Sequence, residues 1–94
     1  MSEMIDRAVK ELNQKTGGSF DGSAKFVVDG EGTIMLDGEG ARAADEPSDV
    51  TLTADADTFR EIFEGDLDPT TAFMSGRLKV DGDMGQAMKL ASTL

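Results

Sequence analysis

Apolar positions change their spacing several times along the chain, and each change marks an element. Met4, Ile5, Ala8, Val9 and Leu12 recur at helical spacing as one stripe, which predicts an N-terminal helix. Ser2 can cap that helix, and Gly17-Gly18 ends it. Over residues 23–29 the period drops to two: Ala24, Phe26 and Val28 alternate with Lys25, Val27 and Asp29, as in a strand with one inward face. The tetrad Asp29-Gly30-Glu31-Gly32 separates this strand from Thr33-Ile34-Met35-Leu36. The same tetrad returns eight residues later as Asp37-Gly38-Glu39-Gly40, ahead of a third short strand over residues 41–44. Asp-Gly at a strand end is hairpin chemistry, because Gly adopts positive φ without penalty. The spacing therefore predicts a tight β-meander. After Pro47-Ser48-Asp49, the run Val50-Thr51-Leu52-Thr53-Ala54 alternates again, with Val50, Leu52 and Ala54 inward.

The remainder reads as mostly helical. Asp55 or Asp57 caps a helix that carries Phe59, Ile62 and Phe63 and closes at Gly65. Asp68-Pro69 is a second start signal, an acidic cap followed by proline in the first turn, for a helix that runs through Phe73 and Met74 to Gly76. Arg77-Leu78-Lys79-Val80-Asp81 alternates as a strand with Leu78 and Val80 inward. Gly82 turns the chain, and Asp83 caps a last helix whose inner face is expected to be Met84, Ala87, Met88 and Ala91. A helix, four strands, two helices, a strand and a helix make an α+β order.

Length then limits what these elements can enclose. At 94 residues the chain is one domain spanning residues 1–94. Surface scaling leaves about 5,200 Å² exposed after folding and supports one core. The net charge is −10, from 9 basic and 19 acidic residues, and residues 29–68 alone carry −11. Such a balance opposes duplex nucleic acid and stable attachment to anionic membranes, both of which need clustered Lys and Arg. The plain reading of the acidic middle is a solvated surface. The chain has neither His nor Cys, which excludes a His base, a Ser–His–Asp triad, a thiol nucleophile and thiolate metal sites. Met4-Ile5 is followed at once by Asp6-Arg7, no apolar run is long enough to span a membrane, and the chain ends Ser92-Thr93-Leu94 rather than Ser-Lys-Leu. The expectation is a cytoplasmic protein.

Most candidate chemistry fails on spacing. A calcium loop starting at Asp29 would place Ile34 at its glycine position, one from Asp37 would place Arg42 there, and one from Asp81 would place Gln86 there. No metal or other cofactor is expected. Gly38-x-Gly40 lacks both the third glycine and the following helix of a dinucleotide fingerprint. The carboxylates sit mostly at caps and turns, where hydration leaves them untuned for acid–base work, so no catalytic residue is expected. The apolar side chains of the C-terminal half are more informative. Phe59, Ile62 and Phe63, then Phe73 and Met74, then Met84 and Met88 lie on three successive predicted helices. Ordinary core is their plain reading. Unbranched Met also adapts to irregular apolar ligands.

Residues 68–90 carry a resemblance. Asp68-Pro69 opening a helix, Ala72-Phe73, Gly76-Arg77-Leu78-Lys79, Gly82-Asp83-Met84 and Ala87-Met88-Lys89-Leu90 resemble the helix–strand–turn–helix block of the sterol carrier protein 2 family of small lipid-carrier domains. Ser48-Asp49-Val50-Thr51-Leu52-Thr53, the Phe59 helix and the Phe26 and Met35 strands fit as well, so the likeness covers about residues 20–92. The resemblance implies a five-stranded mixed, mostly antiparallel sheet with helices packed on one face and an apolar tunnel between the layers. It implies non-catalytic binding or transfer of a sterol, fatty acid, acyl-CoA or phospholipid. It assigns the tunnel wall to Met35, Leu52, Phe59, Ile62, Phe63, Phe73, Met74, Met84 and Met88, and head groups to the neighbourhood of Arg77, Lys79 or Lys89. The alternatives are a protein-interaction domain, including a homodimer built on the same groove, and an accessory domain of a lipid-modifying enzyme. An empty cavity of about 400 Å³ would cost on the order of 10 kcal/mol, comparable with the whole stability of a small domain. The space must therefore be small, filled by mobile side chains, occupied, or completed by a partner.

Overall fold

The computed structural model describes residues 3–93. The predicted cap at Ser2 lies outside the described residues. The first helix, α1 (Glu3–Thr16), buries Ile5, Ala8 and Leu12 and places Glu3 and Asp6 at its positive end and Lys15 at its negative end. Thr16 Oγ1 donates to Leu12 O at 2.8 Å, and Gly17 and Gly18 follow with φ of 72° and 89°.

Strands β1 (Ala24–Asp29), β2 (Gly32–Asp37) and β3 (Gly40–Ala43) form the predicted meander. The two identical tetrads turn differently. Val28 pairs with Gly32 across the first, leaving three residues in the loop, whereas Asp37 pairs with Gly40 across the second, leaving two. Strand β4 (Val50–Asp55) then adds parallel to β1, and β5 (Lys79–Gly82) adds antiparallel to β4, for a sheet order of β3-β2-β1-β4-β5. The sheet is thus mixed and mostly antiparallel, as expected.

The edge strand β3 is clamped by α1. Asn13 Oδ1 accepts from Ala41 N at 2.8 Å and Asn13 Nδ2 donates to Ala41 O at 3.2 Å, in place of a neighbouring strand. Gly40 makes this approach feasible: a Cβ there would lie 2.7 Å from Asn13 Oδ1 and 2.9 Å from Gly18 O.

Helix α2 (Ala56–Glu64) is capped by Asp55, whose carboxylate accepts from Thr58 N, and closes on Gly65 in the left-handed region. Short α3 (Pro69–Met74) and α4 (Met84–Thr93) complete the layer. One core joins the helices to one face of the sheet: Ile5, Ala8 and Leu12 from α1, Phe59, Ile62 and Phe63 from α2, Ala72 from α3 and Ala87 and Leu90 from α4 meet Ala24, Phe26, Val28, Ile34, Leu36, Val50, Leu52 and Ala54. The other face is mostly polar, with Val27 and Met35 among its residues, and there Lys25 pairs with Asp45 at 2.9 Å.

Candidate functional site

The sheet floor differs between its centre and its β5 edge. At the centre, Phe26 meets Phe59 and Phe63 edge-on at 5.7 and 5.9 Å, and those two rings stack on each other at 5.7 Å. All three rings and Ile62 are buried. These side chains fill the centre of the core, and a wide, charged surface cleft of about 830 Å³ lies beside them, lined by Met4, Arg7 and Glu11 of α1 and Arg60, Phe63 and Glu64 of α2.

Toward the edge the floor thins to Leu52 of β4 and Val80 of β5, which pair across the ladder. Above them stand α3 and α4, each positioned by an aspartate cap. Asp68 accepts from Thr70 N at 2.7 Å and Thr71 N at 3.4 Å, and Pro69 occupies the first turn. Asp83 accepts from Gly85 N at 2.8 Å and Gln86 N at 3.2 Å, while Asp83 N donates to Asp49 O at 2.9 Å and ties α4 to the start of β4. Only Ala72 of α3 is buried, so this helix covers little of the floor. An apolar groove of about 420 Å³ remains, with Leu52, Leu78 and Val80 among its floor residues and Phe73, Met84 and Met88 on its lips.

The nine residues expected to line one wall therefore divide. Leu52, Phe73, Met84 and Met88 come together in the groove. Phe59, Ile62 and Phe63 are core beneath α2 instead. Met74 is 81% exposed and does not line the groove. Met35 is buried on the opposite face of the sheet: it pairs with Lys25 and Arg42, while Ile34 and Leu36 on either side join the core. Strand alternation forces this, and the alkyl stems of flanking Lys and Arg residues can cover such a methionine.

The predicted inner face of α4 also shifts. Ala87 and Leu90 are buried, whereas Met84 and Met88 are 50% and 72% exposed. Lys89, on the far flank, donates to Asp21 O at 3.0 Å and to Asp21 Oδ2 at 3.3 Å, and Gln86 packs against Gly22. These contacts turn Leu90 inward and leave the methionines facing α3. Reading of the sequence assigned Leu78 and Val80 inward but not to the site. It overlooked Leu90, which completes an i, i+3 pair with Ala87 and also lines the groove.

The candidate head-group cations do not converge on the groove. Arg77 bonds to Glu61 of α2, which raises its pKa above the ordinary value. Lys89 holds Asp21. Lys79 pairs with Thr53 in the ladder, so it alternates with Val80 and faces away from the floor. Among the described residues, no group of three or more carboxylates could hold a metal ion, and no helix is long and apolar enough to cross a membrane.

A five-stranded sheet with one helical layer and an open apolar groove at its edge defines a small α+β domain with a lipophilic cleft. The profile of the SCP-2 sterol transfer family matches residues 6–94, and the chain belongs to that family. The hydroxysteroid dehydrogenase-like protein 2 of Xenopus laevis is 37% identical over all of this chain, which spans only 24% of that relative. Sterol carrier protein 2 like 2 of Aedes aegypti has the same fold, with a TM-score of 0.79 at 18% identity over 97% of this chain and 96% of its own. The Aedes aegypti sterol carrier protein 2 solved in complex with palmitate matches at a TM-score of 0.75 and 18% identity, over 100% of this chain and 99% of its own.

Proposed function

We propose that this domain is a non-catalytic lipid carrier that takes one acyl chain or sterol-like molecule into the groove between α3, α4 and the β4–β5 edge. The observation that carries the reading is the 420 Å³ groove with Phe73, Met84 and Met88 exposed around it; its lining is mostly apolar, whereas charged side chains dominate the wider cleft beside α1 and α2. Its volume falls within the range of about 300–1,000 Å³ typical of small-molecule sites. Burying one large apolar side chain stabilises by about 1.5–3 kcal/mol, so a chain that covers several lip residues gains binding energy with no charged contact. The family and the palmitate-bound mosquito relative support the same reading. Leu52, Phe73, Met84 and Met88 are the residues we assign to the ligand. The proposal includes a cytoplasmic location, checked by cell fractionation.

A second reading rests on the length relation. The chain spans about a quarter of its Xenopus laevis relative, so the same groove can present lipid to an enzymatic region of a longer protein. In a third, the exposed lips pair two copies of the chain.

Native mass spectrometry of freshly purified protein, followed by solvent extraction, tests the carrier reading. The expected result is a retained mass of a few hundred daltons that is absent from a folded Phe73→Asp variant. A dimer that refuses fatty acids, fatty alcohols and sterols would replace the carrier with the third reading.

A further inference from the structure

The groove is unusual in its charge. Its lining contains no Lys or Arg, and its single ionisable side chain is the acidic Asp68. None of the chain's nine cations lines the groove. Arg7, Lys10 and Lys15 lie on α1. Lys25, Arg42, Arg60, Arg77 and Lys89 are ion-paired with Asp45, Asp37, Asp57, Glu61 and Asp21 respectively. Lys79 alternates away from the floor. On α4, Lys89 lies about 100° of helical rotation from the lip residue Met88, and its ammonium is held by Asp21, which does not line the groove.

An anionic head group at this groove would meet one carboxylate, no cation and a protein of net charge −10. Like charge repels it, and leaving water for an apolar rim adds a desolvation cost that no ion pair offsets. Thr70 and Ser92 are also in the lining; the Ser92 hydroxyl donates to Lys89 O at 2.8 Å and keeps its lone pairs, so it suits an uncharged head that donates a hydrogen bond. We infer that the groove selects lipids with an uncharged polar head, such as a fatty alcohol, a monoacylglycerol or a sterol, and discriminates against phosphate-bearing lipids of the same apolar body. This selectivity rests on the carrier reading above and names the ligand class within it.

Isothermal titration of the whole chain with dodecanol, dodecanoate and dodecyl phosphate, all below their aggregation limits, varies the head and holds the chain constant. The expected order is dodecanol tightest, dodecanoate intermediate and dodecyl phosphate weakest, with alcohol and phosphate separated by about tenfold or more at physiological salt and the gap narrowing as salt rises. Met74→Lys supplies the missing cation from an exposed position on α3 that does not line the groove. It should raise dodecyl phosphate affinity several-fold and leave dodecanol unchanged. Equal binding of the alcohol and the phosphate by the wild type would overturn the selectivity while leaving the carrier reading intact. Failure of all three ligands to bind would remove the carrier reading itself, and the selectivity with it.

Discussion

Helix α2 and the α3–α4 pair both carry large apolar side chains at helical spacing, yet α2 buries Phe59, Ile62 and Phe63 while Phe73, Met84 and Met88 stay exposed. The difference lies beneath the helices. Nine-residue α2 has caps at both ends and meets Phe26 on the central strand, where an aromatic cluster fills the gap. Six-residue α3 brings one buried alanine over a four-residue edge strand whose inward side chain is Val80. A short helix over a thin floor cannot close the layer. The same apolar vocabulary thus gives core at the sheet centre and a groove at its edge.

The strongest way to break this contrast is to truncate one aromatic in each region. Phe59→Ala should cost about 3–5 kcal/mol in urea unfolding, since it removes a fully packed ring and its contacts with the rings of Phe26 and Phe63. Phe73→Ala should cost less than about 1 kcal/mol, because its ring is already half in water, yet it should sharply weaken lipid uptake. Similar stability losses at the two positions would mean that the groove is closed core.

Gly82→Ala comes next. A Cβ at Gly82 would lie 2.4 Å from Asp49 O, and its φ of 108° disfavours any side chain. Because Gly82 pairs with Val50, the substitution strikes the β4–β5 ladder that carries the groove floor. We expect a loss of about 3 kcal/mol by thermal or urea unfolding. Hydrogen exchange should also localise the loosening to β5 before β1 and β2. Uniform loosening across the sheet would show that β5 is part of the same cooperative unit as the centre.

Much of this division was legible in the sequence, for local reasons. Capping aspartates, turn glycines and period-two alternation place the elements within a residue or two, because each signal satisfies its own neighbourhood. Asp55, Gly65, Asp68 with Pro69, and Asp83 all act where they were expected to. The site was harder to read, because it depends on what stands opposite. Nothing within α2 reveals that Phe26 fills the space below it, so Phe59 and Phe63 look like wall residues. Met35 was separable in principle: once Ile34 and Leu36 face inward, alternation sends it to the other side. The rotation of α4 was not, since Asp21, 68 residues away from Lys89, helps to set it. Asn13 as a substitute strand for β3 was likewise invisible, because side-chain capping of a sheet edge has no sequence period.

The smallest expected effect concerns the edge remote from the groove. Arg42 Nη1 and Nη2 donate to Asp37 Oδ1 and Oδ2 at 2.9 and 3.0 Å, across the β2–β3 hairpin. This paired hydrogen bond, reinforced by Glu39 N, holds the Asp37 carboxyl below its ordinary value of 3.8. A depressed folded-state value means that the contribution is complete at pH values above the ordinary one. It is lost as pH falls through the lower, folded-state value. Wild-type stability should therefore drop on acidification below about pH 4, and Asp37→Asn should flatten that limb while slightly lowering stability at neutral pH. The pair is partly exposed, so the change at neutral pH should be small and should shrink in high salt. Lipid uptake by Asp37→Asn should match wild type, because β3 lies four strands from β5. If uptake falls with the hairpin, the two edges of the sheet are coupled through its centre, and the groove cannot be treated as a local property of β5, α3 and α4.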